Sequence, residues 1–485
     1  MKLNRRRFLA ATAATLTMPA TIDFASAEEK VIRFAMPQDF TRVYTFVTAE
    51  YSQGQRDYIT LVNERGGING YRIIADVSDH GNDLPRAIEA YEKAKREGAV
   101  LIDPLSTPVA RALVPRALED KINMVTAFSG RSDAADGTAF PYVLPLSPNY
   151  WTQAGLLVDY FRQQDKDLKG KKIVFVHIDT PFGREPLPIL QVLSQKLGFE
   201  FQAFPYTPPG NDQSAIWPQV RRARPDWVMF WGAGVGQTVA MSEAVRNGLP
   251  MDRVCSSVWL SESDMDVIGR EQVKGVLKVE PCVSGKDPKP VQAIINEVVS
   301  KGKGAGPENK VGTSYYNYGV MMGAIMIEGV KKAFERNPGG PITGLWLNEG
   351  LRSITNFTAE GMIPPMTVTK EDHQGGGGGR IARWDGHEVR SGNRLVCGEP
   401  RRRLGRDSKI VRRVSQVRKV AHASERRPVG PGAVRGEIKW RCSRSTMSKS
   451  STIACFSRSR AFRSKCRRPA SSPFSAPTAP ARARF

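Results

Sequence analysis

From residue 31 to residue 280 the sequence switches repeatedly between short β-branched or apolar runs and longer stretches with apolar residues three to four apart. The short runs predict strands at 31–36, 72–77, 99–102, 123–126, 172–178, 200–206, 226–231, 253–258 and 276–280. The longer stretches predict helices, among them 84–96, 109–119, 150–164 and 237–247. Strands too apolar to be half-exposed, alternating with helices, specify an α/β chain of doubly wound parallel sheets covered on both faces. Two such sheets in separate lobes are a better expectation than one very wide sheet. Pro145-Leu146-Ser147-Pro148-Asn149 offers a crossing between them, and helices at 291–300 and 314–334 are expected to return to the first lobe. The expected division is 28–148 with 282–340 in the first lobe, and 149–281 with 341–389 in the second.

The two ends of the chain read differently. Arg5-Arg6-Arg7-Phe8-Leu9 is followed by a small apolar run over 10–20 and then by Ala25-Ser26-Ala27. That is a positive n-region, a short h-region and an A-x-A cleavage site, so 1–27 is expected to be a signal peptide. The paired arginines resemble a bacterial twin-arginine signal, which exports folded proteins. Broken by threonines and Pro19, the apolar run falls short of the roughly 20 residues of a spanning helix. The mature chain is therefore expected to be a soluble periplasmic protein starting near Glu28. The formal charge of +23 suggests a nucleic-acid partner only until it is located. From Arg390 onward lie 26 of the 71 Lys and Arg but only 4 of the 48 Asp and Glu, which leaves 45 against 44 in the first 389 residues. The body is an ordinary globular chain with no nucleic-acid signature. Before residue 390 the only cysteines are Cys255 and Cys282, too few for a disulfide scaffold and not in a C-x-x-C pair. Spacing alone leaves one bridge between them open.

Several loops recur at strand ends. Asn63-Glu64-Arg65-Gly66-Gly67-Ile68-Asn69-Gly70 precedes the second strand, its glycine pair fitting a helix C-cap and a tight turn. Pro104-Leu105-Ser106-Thr107, Ala127-Phe128-Ser129-Gly130, Thr180-Pro181-Phe182-Gly183 and Ala233-Gly234-Val235-Gly236 follow in order. This series, over about residues 30–389, resembles the type I periplasmic binding proteins, and within them the branched-chain and hydrophobic amino-acid (Leu/Ile/Val-binding) receptors of ABC transporters. The resemblance implies two lobes closing on a ligand at a hinge. It further implies a hydrophobic amino acid or related small carboxylate as ligand, an ABC permease as partner, a monomer, and neither cofactor, metal nor enzymatic activity. It places Ser106, Thr107, Ala127, Ser129, Phe182, Gly234 and Glu262 at the ligand. For Ser106 and Thr107 there is a direct physical case, because a helix N-terminus offers free N–H groups to a carboxylate, although a plain N-cap explains them equally. Arg131 is either a cationic partner for an acidic ligand or a solvated loop residue. Phe182 is either an aromatic wall on the ligand or ordinary packing. Glu262 is the candidate partner for a ligand ammonium, against a plain helix-start glutamate. If Glu262 is outside the cleft, an aromatic or aliphatic carboxylate without an amine becomes the better ligand.

Signals for catalysis are poor. His80, His177, His373 and His387 are scattered, with no H-E-x-x-H, and there is neither a G-x-S-x-G elbow nor a P-loop in the chain as written. Gly232–Gly236 lacks the full dinucleotide spacing, and Gly375–Gly379 reads as a flexible linker. Residues 381–386 look like a strand entering a D-G turn, after which a return strand is expected but the chain becomes rich in Arg, Ser, Pro and Ala. The tail 390–485 reads either as a disordered basic arm or as out-of-frame translation beginning near residue 387. Regrouping permitted codons of Pro473–Arg482 can give Leu-Leu-Gly-Ala-Asn-Gly-Ala-Gly-Lys, a P-loop pattern resembling the start of an ABC-transporter ATPase. The expected function is a solute receptor of an ABC importer. A ligand-sensing regulator on the same fold is the alternative.

Overall fold

The computed structural model describes residues 30–386 other than Ser129, together with the backbone of Val389–Ser391. Residues 1–29, where a signal peptide is expected, Ser129 and the basic residues after 391 lie outside the described residues.

The first lobe runs β1 (Val31–Gln38), α1 (Thr45–Glu64), β2 (Arg72–Asp79), α2 (Leu84–Arg96), β3 (Leu101–Ile102), α3 (Thr107–Asp120), β4 (Asn123–Val125) and β5 (Val143–Leu144). Its strands are parallel, in the order 2-1-3-4-5. The chain crosses at 145–149 into α4 (Tyr150–Asp165), β6 (Lys172–Ile178), α5 (Pro181–Arg184), α6 (Leu187–Leu197), β7 (Glu200–Tyr206), α7 (Trp217–Ala223) and β8 (Trp227–Trp231). It continues through α8 (Val235–Arg246), β9 (Val254–Ser256), α9 (Glu262–Ile268) and β10 (Leu277–Glu280). It then returns to α10 (Lys289–Glu297), α11 (Ser314–Arg336) and α12 (Gly344–Leu351), and crosses a third time to β11 (Arg380–Trp384) and β12 (Val389–Ser391). The second sheet has the order 12-11-10-9-8-6-7, parallel except for β11 and β12. Two parallel-sheet α/β lobes are therefore the fold. All five residues of β8, Trp-Val-Met-Phe-Trp, are buried, as a strand covered on both faces requires.

The strands at 99–102 and 123–126 prove shorter than their apolar runs. The Ala99 N–H closes the end of α2 by donating to the Ala94 carbonyl at 2.9 Å, so pairing in β3 starts two residues later. β5 escapes a sequence reading because two residues followed by Pro145 show no period. A return strand does follow the D-G turn: the backbone of β12 pairs antiparallel with β11 for three residues. The chain stays with the first sheet beyond residue 341, because α12 packs on α11 and the Asn348 side-chain amide donates to Asn123 Oδ1 of β4 at 2.7 Å.

The pentaglycine run is not a linker. A Cβ on Gly375 would lie 2.6 Å from Met366 Cε, and one on Gly377 would lie 2.5 Å from Gln374 Nε2. The run packs where the third crossing meets the first: Gln374 Oε1 accepts from the Asn149 N–H at 3.1 Å and from the Thr152 hydroxyl at 2.7 Å. Beside it His373 is fully buried. Arg352 Nε donates to its Nε2 at 2.9 Å, so Nδ1 carries the proton and donates to the Val143 carbonyl at 2.9 Å. Burial, aided by the Arg352 charge, lowers the His373 pKa to about 4.

Helix α11 is the spine of the molecule. A Cβ on Gly319 would sit 2.0 Å from the Tyr51 carbonyl oxygen, and one on Gly54 would sit 2.1 Å from that of Tyr316, so α1 and α11 cross backbone to backbone. In an open helix Gly→Ala stabilises by about 1 kcal/mol. Gly319→Ala should instead cost about 2 kcal/mol or more and lower the melting midpoint by several degrees, and an unchanged or raised midpoint would contradict this contact. The His373 imidazole is neutral in the folded chain with a depressed pKa. Its contribution to stability is therefore present above the unfolded value of about 6.5 and lost as pH falls toward about 4, a change of about 3 kcal/mol. Urea unfolding at pH 7 and pH 4.5 should show that loss in the wild type but not in His373→Gln, whereas equal losses would remove His373 as the cause.

Candidate functional site

The loops at the carboxyl ends of the strands face each other across the lobes, at the switch points between β1 and β3 and between β6 and β8, where an open parallel sheet binds ligand. The β1–α1 loop is organised by Asp39, whose buried carboxylate accepts main-chain N–H groups from Thr41 (3.2 Å), Arg42 (2.9 Å), Val43 (2.7 Å) and Tyr44 (2.9 Å). Four charge-assisted bonds fix the backbone that presents Tyr44 and Phe46. In the β3–α3 loop Ser106 caps α3: its Oγ accepts from the Val109 N–H at 3.4 Å and donates to Asn82 Oδ1 at 2.7 Å. Thr107 Oγ1 accepts from the Gly130 N–H at 3.2 Å.

Two phenols surround this helix start. Burial pushes the Tyr44 hydroxyl well above its ordinary pKa, with the Asp39 charge adding to the rise and the Thr107 backbone and Ser106 side chain beside it opposing it. Burial likewise raises Tyr150, whose hydroxyl donates to the Phe128 carbonyl and accepts from Trp259 Nε1 at 3.0 Å. Both stay neutral donors. Beneath the loop, burial pushes Asp103 up to about 6 against hydrogen bonds from Gln55 (2.7 Å) and Tyr51 (2.9 Å).

The walls are aromatic. Trp259 meets Phe128 at 5.6 Å and Phe46 at 6.1 Å between ring centroids, both edge-on, and Tyr315 lies 6.2 Å away. Tyr150 packs edge-on against Phe182 at 5.1 Å and Trp231 at 5.9 Å. The box spans both lobes: Phe46 and Phe128 come from the first, Phe182, Trp231 and Trp259 from the second. A Cβ on Gly234 would point at Phe46 Cδ1 3.5 Å away, and its φ of +58° favours glycine. Tyr315 and Tyr318 of α11 close the back by donating to the carbonyls of Trp259 (2.6 Å) and Val258 (3.3 Å).

Ser106, Thr107, Phe182 and Gly234 thus fall in or beside one constellation, and Ala127 is buried next to Phe128. Ser129 is outside the described residues. Glu262 is engaged elsewhere: its Oε1 accepts from the Ser314 hydroxyl at 2.7 Å, and Ser314 Oγ in turn accepts from buried Lys278 Nζ at 3.3 Å. Arg131 is half-buried, paired with Asp133 at 2.6 Å and lying 4.7 Å over the Phe140 ring. His177 is packed, its ring stacked on Phe175 and Nδ1 bonded to the Ile178 carbonyl at 3.0 Å. Cys255 and Cys282 are both free and buried, so the bridge that spacing left open is not formed. Sequence reading missed Asp39, Tyr44, Phe46, Tyr150, Trp259, Tyr315 and Tyr318. An aspartate directly after an apolar strand was the available signal for the first loop. The two α11 tyrosines, three apart at a helix start, were the signal for the back wall.

Among the described residues, no helix is long and apolar enough to cross a membrane, and no group of three or more His, Cys, Asp or Glu could hold a metal ion. Residues 31–391 match the family model described as periplasmic binding protein. The chain belongs to the periplasmic binding protein family. Solved structures agree with the fold. A Pseudomonas fluorescens group structure described as an ABC transporter permease is 30% identical, with a TM-score of 0.74, covering 84% of this chain and 99% of its own. A branched-chain amino acid ABC transporter structure from Thermus thermophilus with bound valine is 19% identical, with a TM-score of 0.68, covering 78% and 99%. A solute-binding protein of an ABC transporter from R. palustris in complex with benzoate is 16% identical, with a TM-score of 0.62, covering 76% and 96%. A search of curated proteins finds no match.

Proposed function

We propose that this chain is an exported, periplasmic receptor of an ABC importer that captures a small apolar carboxylate, best of all one with an aromatic ring and no amine. It works as a monomer and hands the ligand to the permease without making or breaking a bond. The observation that carries the ligand class is a seat of neutral donors in an aromatic box. The Thr107 main chain and the Tyr44 hydroxyl lie at the start of α3, where the Ser106 and Tyr150 hydroxyls already give their protons to Asn82 and to the Phe128 carbonyl, and the Trp259, Phe46 and Phe128 rings lie beside them. A carboxylate placed there gains hydrogen bonds and the α3 dipole, and its apolar body gains aromatic contact. Among the described residues beside the aromatic box, the two acids an ammonium would need are already engaged. Glu262 is held by Ser314, and Asp264 by Ser261 and Gln237, with burial raising the latter carboxyl to about 6. Among the similar structures, the benzoate complex supports this class.

A hydrophobic amino acid is the second reading. It is favoured by the half-burial of Glu262, which a ligand ammonium could draw away from Ser314, and by the valine-bound structure. Either ligand acts by contacting both lobes, since only a ligand that binds the closed form more tightly shifts the hinge. A ligand-sensing regulator would share these contacts but hand its closed state to a signalling protein.

Calorimetric titration of the purified protein with benzoate, phenylacetate, 4-methyl-2-oxopentanoate, leucine and phenylalanine separates the readings. The non-amino carboxylates should bind, Trp259→Ala should weaken them by about 2 kcal/mol, roughly thirtyfold, and Glu262→Gln should change them less than about twofold. Binding of leucine or phenylalanine alone, abolished by Glu262→Gln, would establish the second reading instead.

A further inference from the structure

The two lobes are joined by a charge cluster that contains none of the proposed ligand contacts. Glu185 follows α5 in the second lobe, three residues after Phe182, and its side chain is fully buried. One carboxylate oxygen accepts from Arg111 of α3 at 2.5 Å, and the other accepts from the Ser132 main-chain N–H at 2.9 Å, both in the first lobe. The Glu185 carbonyl accepts from Trp151 Nε1 of α4 at 2.9 Å, which holds its backbone to its own lobe. Arg111 also donates to the Gly130 carbonyl at 3.3 Å, next to the loop whose N–H bonds Thr107. Arg131 feels the Glu185 charge as well.

We propose that Glu185 is a closure latch and a positioning residue. Through Arg111 and Ser132 it holds the Phe182 wall at its distance from the start of α3, and it biases the hinge toward closure using protein groups alone. Parting the lobes breaks both charge-assisted bonds from the Glu185 carboxylate to Arg111 and Ser132, and the pair weights the closed state by the amount these bonds exceed the hydration regained, whether or not ligand is bound. Apparent affinity scales with the fraction of molecules that are binding-competent. The latch therefore sets affinity without touching the ligand. Only the affinity arm of the test rests on the receptor reading.

Hydrogen–deuterium exchange on the ligand-free full chain tests the latch directly. In the wild type the Ser132 amide should be protected. In Glu185→Ala and in Arg111→Gln, exchange should rise around Ser132 and also in the second-lobe peptides spanning 231–238 and 256–262, which open only if the lobes separate. Far-ultraviolet circular dichroism should be unchanged. Carboxylates that bind the wild type should bind both variants about tenfold more weakly, and saturation should restore wild-type exchange. Exchange changes confined to 130–135 and 180–190 would reduce Glu185 to a local structural contact and overturn the proposal. So would rapid exchange of Ser132 in the wild type, which decides the question even if a variant fails to fold. Failure of the carboxylates to bind, with the exchange pattern as expected, would sink the ligand class and leave the latch standing.

Discussion

Helix α11 is the part on which the rest of the structure depends. It approaches α1 so closely that glycines replace side chains at Gly54 and Gly319, and that contact fixes it to the first lobe. From this base its first turns reach the second lobe, where Tyr315 and Tyr318 donate to the carbonyls of Trp259 and Val258 and Ser314 engages Glu262. An error of an ångström in the crossing would misplace two tyrosine hydroxyls and with them the Trp259 ring. Close packing on one side thus becomes ligand geometry on the other, because well-packed interiors transmit displacement instead of absorbing it.

The chemistry of the site follows from desolvation. Ionised groups are expensive to bury, so here they are paired off: Asp39 with four main-chain N–H groups, Arg131 with Asp133, Glu185 with Arg111. What remains around the start of α3 are neutral phenols, hydroxyls and rings. Such a seat selects by hydrogen-bond polarity and shape. Under the proposed function it would accept an anion's oxygens and an apolar body and give a buried ammonium little in return.

The fold was legible because its signal is periodic. Residues 172–178 and 200–206 read as strands and are β6 and β7 to the residue. Short elements such as β5 carry no period and were invisible, and the pentaglycine misled because composition cannot distinguish a free linker from a chain squeezed between Met366 and Gln374. Loop order at strand ends singled out Ser106, Thr107, Phe182 and Gly234, which the fold brings in or beside one constellation. Glu262 looked available because the sequence does not reveal that Ser314, 52 residues later, lies against it. Trp259, Tyr315 and Tyr318 were missed for the same reason, since their meeting is made by the third dimension.

The most direct test of a donor-only, aromatic seat is a crystal structure of the protein with the tightest-binding carboxylate of the calorimetric panel. The carboxylate should lie against the Tyr44 hydroxyl and the Thr107 main-chain N–H, with its apolar body against Trp259 and Phe46 and the Glu262–Ser314 bond intact. A ligand bound through an amine to Glu262, or a carboxylate seated away from the start of α3, would contradict it.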